Sequence, residues 1–171
     1  MILVSKMCET NIKVLLNDYE PITISKRIIP LIDVLKIQFE DDEEGDMTSS
    51  ELIIPYPEAT LNMFTMILTA LEEYLIDEEK RSDYPQPIPE DKTFGEIIKY
   101  KWEKNLLTWI NDSNEKVNDR IEIVFKMAIF ADYLGCEVIK NYFCVYIASW
   151  IRRNKFDVIE EMGDVIRRSV E

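Results

Sequence analysis

The stretch that decides the fold is residues 117–151, VNDRIEIVFKMAIFADYLGCEVIKNYFCVYIASWI. Apolar side chains recur every three or four residues on both sides of Gly135, which predicts two amphipathic helices. Glycine readily adopts the left-handed conformation that ends a helix, so we expect the first helix to end at Gly135. The short connection predicts an antiparallel helical hairpin. With so little polar surface, the hairpin is either a domain core or half core and half docking surface.

Length and composition predict one domain with an appendage. The chain has 171 residues, of which 47% are hydrophobic and 31% are charged, as is typical of globular proteins. Its apolar runs are too short to cross a bilayer. The first residues, MILVSKMCE, lack the pattern of a signal peptide. We therefore expect an intracellular protein of the cytoplasm or nucleus, with no membrane contact.

Charge narrows the range of partners. The net charge of −13 argues against nucleic acids and anionic membranes, because binding them depends on neutralising phosphates. The three cysteines form no CxxC pair, which argues against a zinc site or a disulfide framework. The acidic stretch at 40–46 lacks the ligand spacing of a calcium-binding loop, so we expect neither a metal nor a cofactor.

The absence of histidine argues against catalysis. No Ser-His or Cys-His nucleophile can be built without it. Glu72-Glu73 and Glu160-Glu161 are candidate acid–base pairs, but neighbouring residues on a helix point about 100° apart and do not converge on one substrate. We expect a protein that is not an enzyme.

The order of predicted elements indicates an α+β fold. We expect a β-hairpin first, then short helices, a strand, one long helix and a helix-rich second half. The predicted segments are strands at 2–7 and 12–16, one or two helices within 22–37, a strand at 52–54 and helices at 61–75 and 94–110. Ser25 is a plausible helix cap, and Pro30 is expected near the start of the second short helix. The proline-rich, charged segment 76–92 is expected to be a disordered linker, and 111–114 a polar turn.

Three short strings resemble one known family. They are WEKNLL at 102–107, ADYL at 131–134 and CVYIA at 144–148. They are similar to the Trp-Asp-x-x-Phe-Leu, Ala-Asn-Tyr-Leu and Cys-x-x-Val-Ala strings of the Skp adaptors of SCF ubiquitin ligases, which join a cullin scaffold to F-box substrate receptors. The resemblance implies a BTB/POZ fold with a C-terminal helical extension. It divides the chain into BTB/POZ parts at 1–75 and 94–134, a linker at 76–93 and partner-binding helices at 135–171.

The resemblance also implies two interaction sites. Asp132 and Tyr133 would face the cullin. The F-box protein would occupy a groove formed by Phe125, Ala128, Cys144, Ile147, Ile151, Ile159 and Met162. Ordinary core packing is the alternative for each apolar position, because periodicity does not separate a groove from a core. The chain departs from the family at Asp132, where the family has asparagine, and at Lys140, where an apolar residue is usual.

The function implied by the resemblance is that of a non-catalytic adaptor in an SCF-type ubiquitin ligase. One alternative is a diverged adaptor of the elongin C type. Another is a scaffold or decoy outside any ligase that binds other box proteins. Without a partner, the exposed apolar hairpin is expected to favour a homodimer.

Overall fold

The computed structural model of the protein describes residues 11–17, 19–41, 52–89, 91–113 and 117–154. These residues form a mixed α+β structure with a small sheet and several helices, as expected. The strands are β1 (Asn11–Leu16), β2 (Ile22–Ser25) and β3 (Leu52–Ile54). The α-helices are α1 (Asp33–Asp41), α2 (Leu61–Ile76), α3 (Phe94–Ile97), α4 (Lys101–Ser113), α5 (Val117–Tyr133) and α6 (Glu137–Asn154).

The sheet has the strand order β2-β1-β3. β1 pairs antiparallel with β2, with Ile12 opposite Ile24, and parallel with β3, with Leu15 opposite Ile53. Val14 and Leu16 alternate with more exposed neighbours and are wholly buried, which is the period of a strand with one face on the core. The strands predicted at 12–16 and 52–54 are confirmed.

The predicted pairing of β1 needs correction. Its expected partner, 2–7, lies outside the described residues, and the observed antiparallel partner is β2. Only short helices were predicted within 22–37, and no strand, but Ile22 and Ile24 alternate with Thr23 and Ser25 in β2. Four residues are too few for that period to stand out, so the pairing with β1 determines their conformation.

Ser25 is a cap, as expected, but of a 3₁₀ helix that covers Lys26–Leu31. Its hydroxyl oxygen accepts a hydrogen bond from the backbone N–H of Arg27 at 3.3 Å. Pro30 lies inside this 3₁₀ helix and not at the start of α1, so that prediction is wrong.

Two predicted loop boundaries also change. α4 continues through Ser113, so 111–113 are helical and not the start of a polar turn. Glu40 and Asp41 belong to α1, and the rest of the acidic stretch at 40–46 lies outside the described residues. α2 matches the predicted helix 61–75 closely and starts at a cap in which Thr60 accepts from the N–H of Met63 at 3.2 Å.

The predicted hairpin is formed by α5 and α6, and Gly135 ends α5 as expected. Its φ is +66°. Its N–H donates to the carbonyl of Asp132 and that of Cys136 to the carbonyl of Ala131, both at 2.9 Å, which is a Schellman cap. A Cβ at this position would also lie 2.5 Å from the Cβ of Asp33. Only glycine satisfies both the dihedral angle and the contact with α1.

The hydrophobic core is one cluster of buried side chains to which the sheet, α1, α2, α4 and the hairpin all contribute. Its largest fully buried side chains include Trp102, Tyr142, Phe64, Phe130 and Phe143. Trp102 contacts Tyr74 and Tyr142, with ring centroids 5.7 Å apart in both pairs. One side of the hairpin therefore belongs to the core, and its other side is left to face solvent or a partner.

Candidate functional site

The outer half of the hairpin carries two separate surfaces. One, which we call the tyrosine surface, consists of Tyr133 and Tyr56 together with a cavity that is lined by Tyr19, Ile53 and Pro55, of which Pro55 contacts Tyr133. The other, which we call the proline groove, lies between residues 84–88 and α6.

Tyr133 is the last residue of α5 and is 37% exposed. Its hydroxyl donates to the carbonyl of Pro55 at 3.3 Å, and its ring centroid lies 4.7 Å from that of Tyr56. Tyr56 stacks in turn on the buried Phe130 at 5.2 Å. Tyr133 is thus held on the core by one ring while part of its own ring faces solvent, an arrangement suited to a preorganised contact residue.

A cavity of about 660 Å³ adjoins this ring at Pro55. Its lining residues are Asn17, Tyr19, Ile53, Pro55 and Pro57. Ile53 and Tyr19 are exposed despite their size. These lining residues were not predicted, because they come from the β1–β2 turn and from β3 and its following residues, far from α5 along the chain.

Asp132 and Lys140, the two departures from the family strings, face each other across the turn. Lys140 Nζ lies 3.3 Å from Asp132 Oδ1 and also bonds to Glu137. The hydrogen bond with Glu137, and then that with Asp132, raise the pKa of Lys140. The negative charge of Asp132 is therefore balanced locally by the positive charge of Lys140.

The exposed face of α6 carries Cys144, Ala148 and Ile151, which lie on successive turns. Ile147, at the edge of this face, is half-buried, and so is Phe125 on α5. Ala128 is buried in the core and contributes little to the open surface. Ile159 and Met162 lie outside the described residues.

Glu103 fastens the proline-rich segment to α4. Its carboxylate is wholly buried and accepts from the N–H groups of Ser82 at 2.8 Å and of Lys99 and Tyr100 at 3.1 Å. It also accepts from the hydroxyl of Ser82 and from that of Tyr84 at 2.7 Å. Burial and the bond to this carboxylate raise the pKa of Tyr84. Five donors thus replace the water that the charged group loses on burial.

Two further hydrogen bonds extend this attachment. Trp102 Nε1 donates to the carbonyl of Lys80 at 2.9 Å, and the hydroxyl of Tyr142 donates to the carbonyl of Glu103 at 2.9 Å. The segment forms no helix or strand from 80 to 89, as expected, but it is not an unattached linker. Its prolines and charges alone predict disorder, whereas hydrogen bonds to a buried carboxylate stabilise it.

The attached segment forms one wall of the proline groove, and α6 forms the other. The groove has a volume of about 440 Å³. Its lining residues are Tyr84, Pro85, Gln86, Pro87 and Ile88 on one wall and Asn141, Cys144, Val145, Ala148 and Arg152 on the other. Cys144 was predicted as a groove residue, but the opposite wall was not.

The acidic pair Glu72-Glu73 is divided between different environments. Glu73 accepts from Asn105 at 2.8 Å and pairs with Lys101 at 3.0 Å, while Glu72 is exposed. Glu73 therefore links α2 to α4. The other pair, Glu160-Glu161, lies outside the described residues.

Across the residues that the structure describes, no cluster of three His, Cys, Asp or Glu side chains is placed to hold a metal ion. The helices in this part of the chain are too short or too polar to span a membrane. Comparison with models of known protein families and with curated protein sequences gave no match. A function is therefore inferred from the tyrosine surface, the proline groove and the exposed face of α6.

Proposed function

We propose that the protein is a non-catalytic adaptor with a BTB/POZ fold that links a cullin to an F-box protein in an SCF-type ubiquitin ligase. It acts inside the cell, in the cytoplasm or nucleus. The tyrosine surface takes the cullin, and the exposed face of α6 takes the F-box protein. Its contribution to ubiquitination is to hold the two partners in a fixed arrangement.

The observation that carries the proposal is the exposure of side chains on the outer half of the hairpin. Ile151 is 39% exposed and Tyr133 is 37% exposed, at opposite ends of the helix pair. A hairpin that served only as a core would bury both. Tyrosine is enriched among binding hot spots, and Ile151 continues the exposed row of Cys144 and Ala148 along α6, so neither is a single exposed apolar residue without neighbours of its kind.

The ion pair of Asp132 and Lys140 also supports the cullin part of the proposal. An aspartate in place of the family's asparagine adds a negative charge at the expected contact. Lys140 lies 3.3 Å from this carboxylate and offsets the charge, so the net charge of the contact stays close to that of the family pattern. The two departures thus compensate each other.

The proposal is tested by measuring the affinities of the full chain for a recombinant cullin N-terminal domain and for an F-box protein. Tyr133→Lys is expected to weaken cullin binding about 30-fold or more while F-box binding stays unchanged, as for loss of a binding hot spot. Ile151→Lys is expected to do the reverse. Ile76→Lys is the matched control, because Ile76 is 76% exposed at the end of α2 and is not among the residues that form the tyrosine surface or the proline groove.

Failure of the parent chain to bind either partner at micromolar concentration would remove the proposal. Equal losses from Ile76→Lys and Tyr133→Lys would also count against it, because the effect would then follow from any added charge. Preference for an elongin-type box peptide over an F-box peptide in competition would assign the chain to the alternative adaptor class.

A further inference from the structure

A third cavity lies at the end of the helical hairpin opposite Gly135, where α5 begins and α6 ends. It has a volume of about 500 Å³, which is in the range of small-molecule sites. Arg120, near the start of α5, and Arg153, near the end of α6, both line it. Because the two helices run antiparallel, arginines that are distant in the sequence come to the same cavity.

The charge of this cavity is opposite to that of the chain. The sequence has 33 Asp and Glu residues against 20 Lys and Arg, yet the described residues that line the cavity include two arginines and no carboxylate. Positive side chains between low-dielectric walls concentrate the local potential. The cavity therefore attracts anions although the protein as a whole is acidic.

Glu96 is a carboxylate close to Arg153, but it is engaged elsewhere. It accepts a hydrogen bond from the backbone N–H of Thr93 at 2.6 Å in the cap of α3. The hydrogen bonds with Thr93 lower the pKa of Glu96, and the charge of Arg153 contributes to the same shift. Glu96 thus stays charged at the rim without being part of the cavity lining.

A buried polar side chain also lines this cavity. Of the three buried polar or charged residues in the described part of the chain, Ser82 and Glu103 hydrogen-bond to each other. The third, Ser149, is 2% exposed and belongs to the cavity lining. A serine hydroxyl can donate to an anionic oxygen, and so can the amide of Asn111, a lining residue in the last turn of α4.

The remaining walls are apolar and are held by contacts between rings. Phe94, Leu107 and Trp150 are the apolar lining residues. The ring centroid of Phe94 lies 5.1 Å from that of Tyr146, which also lines the cavity, and 5.1 Å from that of the fully buried Tyr142. These edge-to-face contacts fix the walls before a ligand enters. The cavity therefore suits a ligand that joins an anionic group to an apolar one.

We propose that this cavity binds a phosphate monoester whose phosphate is joined to an aromatic or similarly flat apolar group. A monoester carries a charge of about −1.5 to −2 at neutral pH, which two guanidinium groups balance. Arginine also matches phosphate geometrically, with paired N–H donors. A carboxylate, with a single charge, matches the pair of arginines less well. The apolar group lies against Phe94 and Trp150.

Two sources supply this chemistry, a small aryl phosphate or a phosphorylated tyrosine side chain of another protein. The inference goes beyond the proposed function, because the cavity shares no lining residue with the tyrosine surface or the proline groove. Binding at this cavity needs neither a cullin nor an F-box protein.

The test is calorimetric titration of the full chain with phenyl phosphate. Arg120→Gln and Arg153→Gln are each expected to weaken binding about tenfold or more, as for the loss of charge-assisted hydrogen bonds. Arg153 is exposed, so its variant tests the site even where Arg120→Gln disturbs folding. Arg27→Gln is the matched control, because it removes the same charge at an exposed position that lines none of the three cavities, and it should leave binding unchanged.

Two further titrants separate the parts of the ligand. Inorganic phosphate is expected to bind about tenfold more weakly than phenyl phosphate, because it buries no ring. Phenol, which lacks the charge, is expected not to bind at millimolar concentration. A Gly-Gly-phosphotyrosine-Gly-Gly peptide that binds more tightly than phenyl phosphate would identify a phosphorylated protein as the source, and equal or weaker binding would identify a small molecule.

Absence of phenyl phosphate binding at millimolar concentration would overturn the inference. Equal losses from Arg27→Gln and Arg153→Gln would overturn it too, and so would binding of phenol or of inorganic phosphate as tight as that of phenyl phosphate. Since no cullin or F-box protein is present, none of these results bears on the adaptor proposal.

Discussion

Glu103 shows how one side chain decides the conformation of a distant segment. A buried carboxylate is stable only where hydrogen-bond donors surround it. In this protein three backbone N–H groups and two hydroxyls do so, from Ser82, Tyr84, Lys99 and Tyr100. The carboxylate joins the proline wall of the groove to the start of α4, so its loss affects both.

Glu103→Gln tests this role. The amide keeps the shape of the side chain, but its NH₂ group cannot accept hydrogen bonds, so buried donors lose their acceptor. We expect the free energy of unfolding to fall by about 2–4 kcal/mol, measured by urea denaturation. Glu72→Gln, at an exposed position on α2, is the control and should change stability by less than about 0.5 kcal/mol. Similar values for the two variants would contradict the role of Glu103.

Individual residues were predictable where their role is local. Gly135 was identified from its place between two periodic stretches, whereas Tyr133 was singled out by the family resemblance alone. Glu103 was not identified, although it lies within one of the strings that suggested the family. Its donors come from two separate stretches, 82–84 and 99–100, and only the fold brings these together.

Among the strands and helices, β3 shows how a sheet edge can be closed by a side chain. β3 lies at the end of the described sheet. The amide of Gln38 on α1 donates to the carbonyl of Ile53 at 2.7 Å and accepts from its N–H at 2.8 Å. Gln38 thus occupies the outward-facing peptide groups that another strand would otherwise pair with.

Gln38→Leu is expected to open this edge. The variant leaves the N–H and carbonyl of Ile53 without their side-chain partner, which should lower the free energy of unfolding by about 1 kcal/mol. It should also promote self-association through β3, measured by sedimentation velocity over a range of concentrations. Lys36→Leu adds the same apolar group at an exposed position on α1 and controls for hydrophobicity. Equal association of the two variants would show that edge pairing is not the cause.

The longer elements were the predictable ones. α2 and the hairpin have several turns of regular apolar spacing, and both were predicted within a few residues of their observed ends. β2 was missed because it has only four residues and lies next to a 3₁₀ helix. Short elements take their conformation from their partners more than from their own sequence.

For the protein as a whole, buried ionisable groups set how stability depends on pH. Burial raises the pKa of Cys136 to about 12, and it also raises the pKa of Tyr142. In the unfolded chain these groups ionise at lower pH than in the folded chain. Their contribution is therefore complete below the unfolded pKa values and is lost as the pH rises through the folded ones.

Thermal unfolding followed between about pH 8 and about pH 11, a range that spans the ordinary pKa values of thiols and phenols, should show a steadily falling midpoint. The decline should begin near the ordinary thiol pKa, where Cys136 ionises only in the unfolded state. Burial also raises the pKa of Cys144, though less than that of Cys136, so the midpoint of Cys136→Ala should fall less steeply over the same pH range. An identical profile for the variant would mean that the buried thiol is not linked to folding.

The α+β class followed from the order of elements, whereas the proline groove did not follow from any sequence pattern. The wall formed by residues 84–88 was predicted to be disordered because 76–92 is rich in prolines and charges. That composition does not reveal the buried carboxylate of Glu103, which accepts hydrogen bonds from Ser82 and Tyr84. Of the α6 wall, only Cys144 had been named as a groove residue, and the family resemblance rather than periodicity suggested it. The other wall is held by long-range hydrogen bonds to Glu103.

Because α6 is one continuous helix, it would fix the spacing between any two proteins bound near its ends. From Glu137, beside the tyrosine surface, to Ile151 the helix rises about 21 Å without interruption. Proteins seated at its two ends would keep a constant stagger, set by the number of helical turns between them. Inserting two turns into α5 and α6 together would move the two proteins apart by about 11 Å and keep each facing the same direction.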